Sequence, residues 1–346
     1  MSASVPKAVL YYSPDSVWST AVLLALEEKG YADDELVRKV VDLAKGENFS
    51  VSYLRLNLKG TVPTLVVPFR DSLGDDVESR YKAVTDPKAI IALLDQSRSP
   101  LSRTRTTSTA PAPSLAPATV AFSAASSALL DILHDEEVSP DMLMLVNARD
   151  AASLKTLAQN ALPVVAGRQK ALAQCLSDSE AGSIQASEKV KQFWRQKLSE
   201  TQNYLSVLKN ADREDAELDA QGKTKRAEFF GEAKAAWEVT LKDTIARLNK
   251  EIIGPYALGD QLSIADLSLA AWIRSLVILA GGALTDDGVA AIGKLEAHIG
   301  GGFSLPKDFK VVDARRKGDA EVSKLAGFWE AMGERASWKK VYRSSD

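Results

Sequence analysis

The run Asn57-Leu58-Lys59-Gly60-Thr61-Val62-Pro63-Thr64-Leu65 constrains this chain more than any other stretch. It reads as a helix-ending Asn/Gly turn, a Val-Pro step, and then a strand of β-branched and apolar residues running to Phe69. Proline cannot donate to a sheet ladder, so one placed where a strand begins belongs at its first position or in a tight turn. An X-Pro bond in such a turn is a candidate for the cis isomer, leaving the Val62 N–H and C=O to face out of the fold.

The residues around this run supply a sheet for it. Lys7 to Tyr12 reads as a buried strand bounded by Ser13-Pro14-Asp15. Ser16 to Lys29 places Val17, Ala21, Leu24 and Ala25 at helical spacing, with Gly30 as C-cap and Ser13 or Ser16 as N-cap. Leu36 to Leu43 is a second strand, and Glu47 to Leu58 a short helix. Beyond the Val-Pro step, Thr64–Phe69 and Ser79–Val84 form a hairpin across a long acidic loop, Arg70–Glu78. Thr85-Asp86-Pro87 opens a helix, with Pro87 at the first helical position, where its missing N–H costs nothing. The order βαβα then ββα predicts a four-stranded mixed sheet in residues 1–97.

Residues 98–117, rich in Ser, Thr, Pro and Arg, read as a linker or mobile loop. Residues 118–346 read as all-helical, with helices at Ala118–Glu137, Ser153–Ser177, Ser187–Asn210, Thr224–Ile253, Ser263–Ala280, Asp286–His298 and Ala320–Val341.

At 346 residues and 45% hydrophobic content the chain can build two domains with ordinary cores. A net charge of −3 offers no basic footprint for nucleic acid and no polybasic membrane patch. The single cysteine, Cys175, excludes a disulfide framework within the chain. With His134 and His298 as the only histidines, no His/Cys metal cluster is expected. The N-terminus lacks the pattern of a signal peptide, and no apolar run approaches the ~18 residues of a membrane span. A soluble cytoplasmic protein is the expectation.

A thioredoxin-like βαβαββα unit with Val-Pro before its third strand, followed by helices, resembles the glutathione transferase family. Tyr256-Ala257-Leu258-Gly259-Asp260-Gln261-Leu262-Ser263-Ile264-Ala265-Asp266 strengthens that resemblance, because the family's helical domain carries a Leu-Gly-Asp, Ser-x-Ala-Asp signature there. Locally it is a capping box. The Ser263 hydroxyl is expected to accept from the Asp266 N–H, the Asp266 carboxylate to bond back to the Ser263 N–H, and Leu262 to staple to Leu267. Phe328-Trp329 and Trp338-Lys339-Lys340-Val341-Tyr342 are similar to the family's closing helix.

The resemblance implies glutathione as co-substrate, with no metal, and a homodimer. Counted back from Lys29-Gly30, the family's reactive position falls on Ser16, with Ser13 three residues earlier. There a helix N-terminus and a hydroxyl would stabilise the glutathione thiolate. The plain reading of Ser16 is a helix N-cap. With no Cys at that position, mixed-disulfide chemistry is not expected. The tripeptide's backbone would pair with Val62, before Pro63, and Lys59 or Thr61 would meet its glycyl carboxylate. Asp86 takes the acid position for the γ-glutamyl end, where Pro87 replaces the family's Ser. Glu78-Ser79 is a second candidate for that role. Tyr12, Trp18 and Phe122 are candidate walls of the pocket for an apolar electrophile. His134 and Cys175 read more simply as a half-exposed structural histidine and an inert core thiol.

Three functions fit these residues: conjugation of glutathione to apolar electrophiles, as in detoxification; glutathione-dependent ether cleavage or dehalogenation; or a non-catalytic ligand-binding or scaffold role on the same fold.

Overall fold

A computed structural model describes residues 6–68, 81–99, 106–313 and 318–343. The acidic loop Arg70–Glu78 and the Glu78-Ser79 pair lie outside them. The strands are β1 (Ala8–Tyr12), β2 (Leu36–Val40), β3 (Thr64–Pro68), β4 (Tyr81–Val84), β5 (Phe309–Asp313) and β6 (Gly318–Val322). The helices are α1 (Val17–Glu28), α2 (Val51–Leu54), α3 (Pro87–Ser97), α4 (Val120–Leu133), α5 (Pro140–Leu145), α6 (Ala151–Glu180) and α7 (Glu188–Leu208). They continue as α8 (Ala220–Lys234), α9 (Lys242–Glu251), α10 (Ile264–Leu279), α11 (Gly288–Ile299), α12 (Lys324–Gly333) and α13 (Ala336–Arg343). Among the described residues no helix is long and apolar enough to cross a membrane.

The chain forms two compact units whose pieces interleave in sequence. One comprises Met1–Ser13, Leu36–Thr85 and Leu143–Ala235; the other comprises Pro14–Glu35, Asp86–Met142 and Ala236–Asp346.

The first unit holds the sheet, in the order β2-β1-β3-β4. β1 and β2 are parallel (Leu10 opposite Arg38), while β3 runs antiparallel to β1 (Leu10 opposite Leu65) and to β4 (Leu65 opposite Val84). This is the thioredoxin-like arrangement the βαβ then ββ order predicts. Between β2 and β3 the expected single helix Glu47–Leu58 is instead a 3₁₀ turn, Glu47–Phe49, followed by the one-turn α2. Ser50 breaks them apart by turning to extended backbone (φ −62°, ψ 146°) and capping α2 at the Tyr53 N–H. Phe49 and Leu54 then pack with Leu172 of α6 and with Val190 and Trp194 of α7.

The second unit is built around α10, whose Leu267, Ala270, Trp272 and Leu276 are fully buried and which packs on α1, α4 and α11. The described part of the expected mobile linker is fixed here. Fully buried Lys29 donates to Asp95 (2.7 Å) and to the Pro113 carbonyl (2.6 Å), and Asp95 also accepts from the Leu115 and Ala116 amides. Arg98 donates to the carbonyls of Lys29 and Ala110. A buried cation held by a carboxylate and a carbonyl, with Arg98 beside it, fixes residues 110–116 against α1 and α3.

The C-terminal region is mostly, not wholly, helical. Ala320–Val322 belongs to a strand, because β5 and β6 pair as an antiparallel hairpin (Lys310 opposite Glu321). Phe309-Lys310-Val311-Val312 carries β-branched residues suited to a strand. Ser323 then starts α12 as N-cap, and a break at Glu334-Arg335 separates α13. Likewise Thr224–Ile253 is divided by a π-helical stretch, Ala235–Leu241, and α5 arises where no helix was expected.

Candidate functional site

In the first unit the Val62–Pro63 bond is cis, as the turn chemistry suggested. The residue before it is held by a polar clamp. The Thr61 carbonyl accepts from the Tyr53 hydroxyl (2.6 Å) and from Asn57 Nδ2 (2.8 Å). Asn57 Nδ2 also donates to the Thr61 and Thr64 hydroxyls, while its Oδ1 accepts from the Lys59 N–H. Gly60, at φ +62°, takes a left-handed conformation that a side chain would strain, which lets the turn close. Burial pushes the Tyr53 phenol above its ordinary pKa, so it stays a donor.

Against this clamp, Val62 itself stands out. Among the described residues its amide and carbonyl make no hydrogen bond, although Thr61 before it and Thr64 beyond Pro63 are fixed. Its side chain is buried with Val41 and Tyr53. A backbone donor and acceptor held rigid and unpaired can add an extended peptide as a further strand-like partner. The exposed Lys59 side chain follows Asn57 in the same turn, and Tyr12 is half-buried in β1, its carbonyl accepting from the Val41 amide (2.8 Å). Sequence reasoning missed Tyr53 and Thr64 altogether and saw Asn57 only as a turn residue. The available signal was a Tyr and an Asn four positions apart on a helix end, with Thr on both sides of Val-Pro.

In the second unit Ser16 is the N-cap of α1: its Oγ accepts from the Ser19 N–H at 3.3 Å. Accepting leaves the hydroxyl proton available, so capping and donation to an anion are compatible. The first turn contains no acidic residue, and the Val17 and Trp18 amides make no hydrogen bond among the described residues, so this helix start presents unpaired N–H groups. Ser13, in the first unit, is buried and already engaged.

Asp86 caps α3 at the Ala89 N–H (3.0 Å), and Pro87 occupies the first helical position. Asp86 is exposed. Trp18 stacks on His134 with ring centroids 3.9 Å apart and planes 15° off parallel. Burial, then the Lys88 charge, lowers the His134 pKa to about 4, so the imidazole is neutral near pH 7. Lys88 pairs with Asp131 across α3 and α4 at 3.1 Å. Phe122, on α4, is 41% exposed. Burial also raises the Cys175 thiol, which keeps it protonated. Among the described residues no group of three or more His, Cys, Asp or Glu is placed to hold a metal ion.

Asp266, the family-signature acid, is fully buried at the start of α10. Its carboxylate accepts from the Ser263 N–H (2.7 Å), the Ser263 hydroxyl (2.6 Å) and the Ala257 N–H (2.6 Å). The expected capping box between Ser263 and Asp266 is formed, and the Ser263 hydroxyl donates to the acid as well. Every recorded partner of the carboxylate is internal, so this motif organises the fold.

Residues 15–97 match the model of the glutathione S-transferase N-terminal domain. No curated protein matches the sequence. Similar solved structures include the beta-etherase LigF from Sphingobium sp. strain SYK-6, at 18% identity and TM-score 0.48, covering 98% of this chain and 100% of that one. Glutathione transferase Omega 3C from Trametes versicolor is 15% identical with TM-score 0.45, covering 97% and 84%. Gtt2 from Saccharomyces cerevisiae is 16% identical with TM-score 0.44, covering 96% and 99%.

Proposed function

We propose that the protein is a glutathione transferase that conjugates glutathione to apolar electrophilic small molecules. The observation that carries this reading is the unpaired Val62 peptide group, held rigid by Tyr53 and Asn57 beside cis Pro63. In this reading Val62 pairs with the cysteinyl backbone of glutathione, Lys59 or Thr61 meets its glycyl carboxylate, and Asp86 meets its γ-glutamyl ammonium. Ser16 donates to the sulfur, and the unpaired amides of the first turn of α1 favour the thiolate over the thiol, which lowers the thiol pKa. Trp18 and Phe122 supply apolar surface for the electrophile. The same reading carries a glutathione-binding domain at 1–97 joined through 98–117 to the helical region, and assembly as a homodimer.

The test is turnover of a generic aromatic electrophile with glutathione, comparing wild type with Ser16→Gly. Glycine is nearly as good an N-cap as serine, so the helix survives while the hydroxyl is lost. The expected result is retention on immobilised glutathione by both proteins, with kcat/KM lowered roughly tenfold or more in the variant, about 1.4 kcal/mol of transition-state stabilisation. Equal turnover by the variant would remove Ser16 from the chemistry.

The second reading is a non-catalytic binding protein, and Pro87 is the observation that favours it. It removes a hydroxyl and a backbone donor at the γ-glutamyl end. Retention on glutathione without turnover of any electrophile selects that reading.

A further inference from the structure

The connection from β2 to β3, which ends in the Val62–Pro63 junction, does not stand alone in its unit. The α6–α7 hairpin lies along it, and small residues let the two come into close contact. A methyl group on Gly167 of α6 would sit 2.7 Å from the Ala44 carbonyl oxygen, and one on Gly46 would sit 2.4 Å from the Ala171 Cβ. Trp194 of α7, fully buried, donates its indole N–H to the Phe49 carbonyl at 2.9 Å. Arg168 of α6 lies 5.4 Å from the centre of the Phe49 ring. Next to Phe49, the Asn48 side chain donates to the Gly60 carbonyl at 2.7 Å. Finally, Phe193 of α7 rests on Gly60 itself, since a methyl group there would be 3.1 Å from Phe193 Cζ.

Two routes therefore run from the hairpin to the turn: Trp194 through Phe49 and Asn48 to the Gly60 carbonyl, and Phe193 directly to the Gly60 Cα. Gly60 precedes Thr61, whose carbonyl is clamped, and Val62, whose peptide group is not. We propose that the α6–α7 hairpin positions the Val62 peptide group for glutathione, with Phe193 as the positioning residue. The proposal rests on the function given above. Physically, Tyr53 and Asn57 fix the Thr61 carbonyl, and Phe193 bears on Gly60 immediately before it. Remove the ring and Gly60, a residue with the widest backbone freedom, loses its nearest side-chain neighbour and is left with Asn48 and Leu54 to limit its motion. A shift of the Val62 N–H and C=O by a fraction of an ångström weakens both hydrogen bonds to a peptide ligand.

The experiment is steady-state kinetics of the full chain, with glutathione and the electrophile varied separately, for Phe193→Ala, Phe193→Leu and Phe193→Tyr. Phe193 is half-buried, so all three variants should fold. For Phe193→Ala the expected result is a glutathione KM raised on the order of threefold to tenfold, with kcat at saturating glutathione within about twofold of wild type. Phe193→Leu, which retains part of the contact, should fall between. Phe193→Tyr adds an oxygen on the very atom that meets Gly60, so it should also raise the glutathione KM. A role in general packing would tolerate tyrosine at this half-exposed position. A glutathione KM unchanged in Phe193→Ala and Phe193→Tyr overturns the inference and leaves the proposed function standing. Failure of wild type to bind glutathione overturns the proposed function, and this inference with it.

Discussion

Asp266 and Thr61 each gather several donors onto one oxygen-bearing group, with different consequences. In the second unit the Asp266 carboxylate accepts from Ala257, from the Ser263 amide and from the Ser263 hydroxyl, and all of these groups are enclosed. Nothing is left over for a ligand. In the first unit Tyr53 and Asn57 converge on the Thr61 carbonyl with the same economy, but the Val62 N–H on the other side of that peptide bond, and the Val62 carbonyl after it, are unpaired among the described residues. A saturated polar cluster holds a fold together. A cluster that saturates one carbonyl and leaves the next residue's N–H and C=O free prepares a binding edge.

The comparison is sharpest where the effect is largest. Asp266→Ala leaves three buried donors without an acceptor, at about 1–3 kcal/mol each, so a loss of at least ~3 kcal/mol is expected in denaturant unfolding. Glutathione affinity of the remaining folded protein should not change. A variant of full stability would show that the motif is not the anchor it looks like.

A related effect appears with pH. Burial lifts the Asp266 pKa to about 6, above its ordinary 3.8, so the folded state holds the proton more tightly than the unfolded chain. The resulting stability is fully present below pH 3.8 and is lost as pH rises through about 6. Two pKa units correspond to about 3 kcal/mol. Measured against Asp266→Asn, wild type should therefore lose stability by roughly that amount between pH 3.5 and 6.5. A difference that stays flat over this range would refute the shift.

Asn57→Ala should cost less, about 1–3 kcal/mol, because Tyr53 still holds the Thr61 carbonyl. Here, unlike at Asp266, glutathione binding should weaken as well, read by calorimetry on folded protein. If Asn57→Ala lost stability alone, the contrast between the two clusters would disappear.

His134 gives the smallest signal. Its pKa falls from 6.5 to about 4, so the stability contributed by the neutral, stacked ring is present above 6.5 and is lost as pH falls through 4. Imidazole proton resonances of His134 should show no titration between pH 8 and about 5.5, in contrast to an ordinary exposed histidine.

Much of this was legible in the residues. The Val-Pro step, the Ser16 and Asp86 caps and the Ser263–Asp266 box depend on backbone sterics and side chains within a few positions of one another. Those relations survive in a one-dimensional reading. What failed did so for an equally physical reason. Ala320-Glu321-Val322 has a helix former at its head and lies next to a helix, yet it pairs with Phe309-Lys310-Val311 as a strand, a preference set by its partner across the hairpin. Thr224–Ile253 keeps a helical pattern through Ala235–Leu241, where the backbone widens into π turns that periodicity does not register. Residues 106–117 look unstructured in composition and are fixed by Lys29, Asp95 and Arg98, charged side chains whose burial no pattern announced.

By itself the sequence determined the local grammar of this protein: where helices begin, where the chain must turn, and that Pro63 meets the sheet at the head of a strand. Only the tertiary structure decided what stands next to that turn. Trp194 bonds to a carbonyl 145 positions away, and its neighbour Phe193 rests on Gly60. Such contacts are chosen by packing between distant segments, whose complementarity exists only once both are folded.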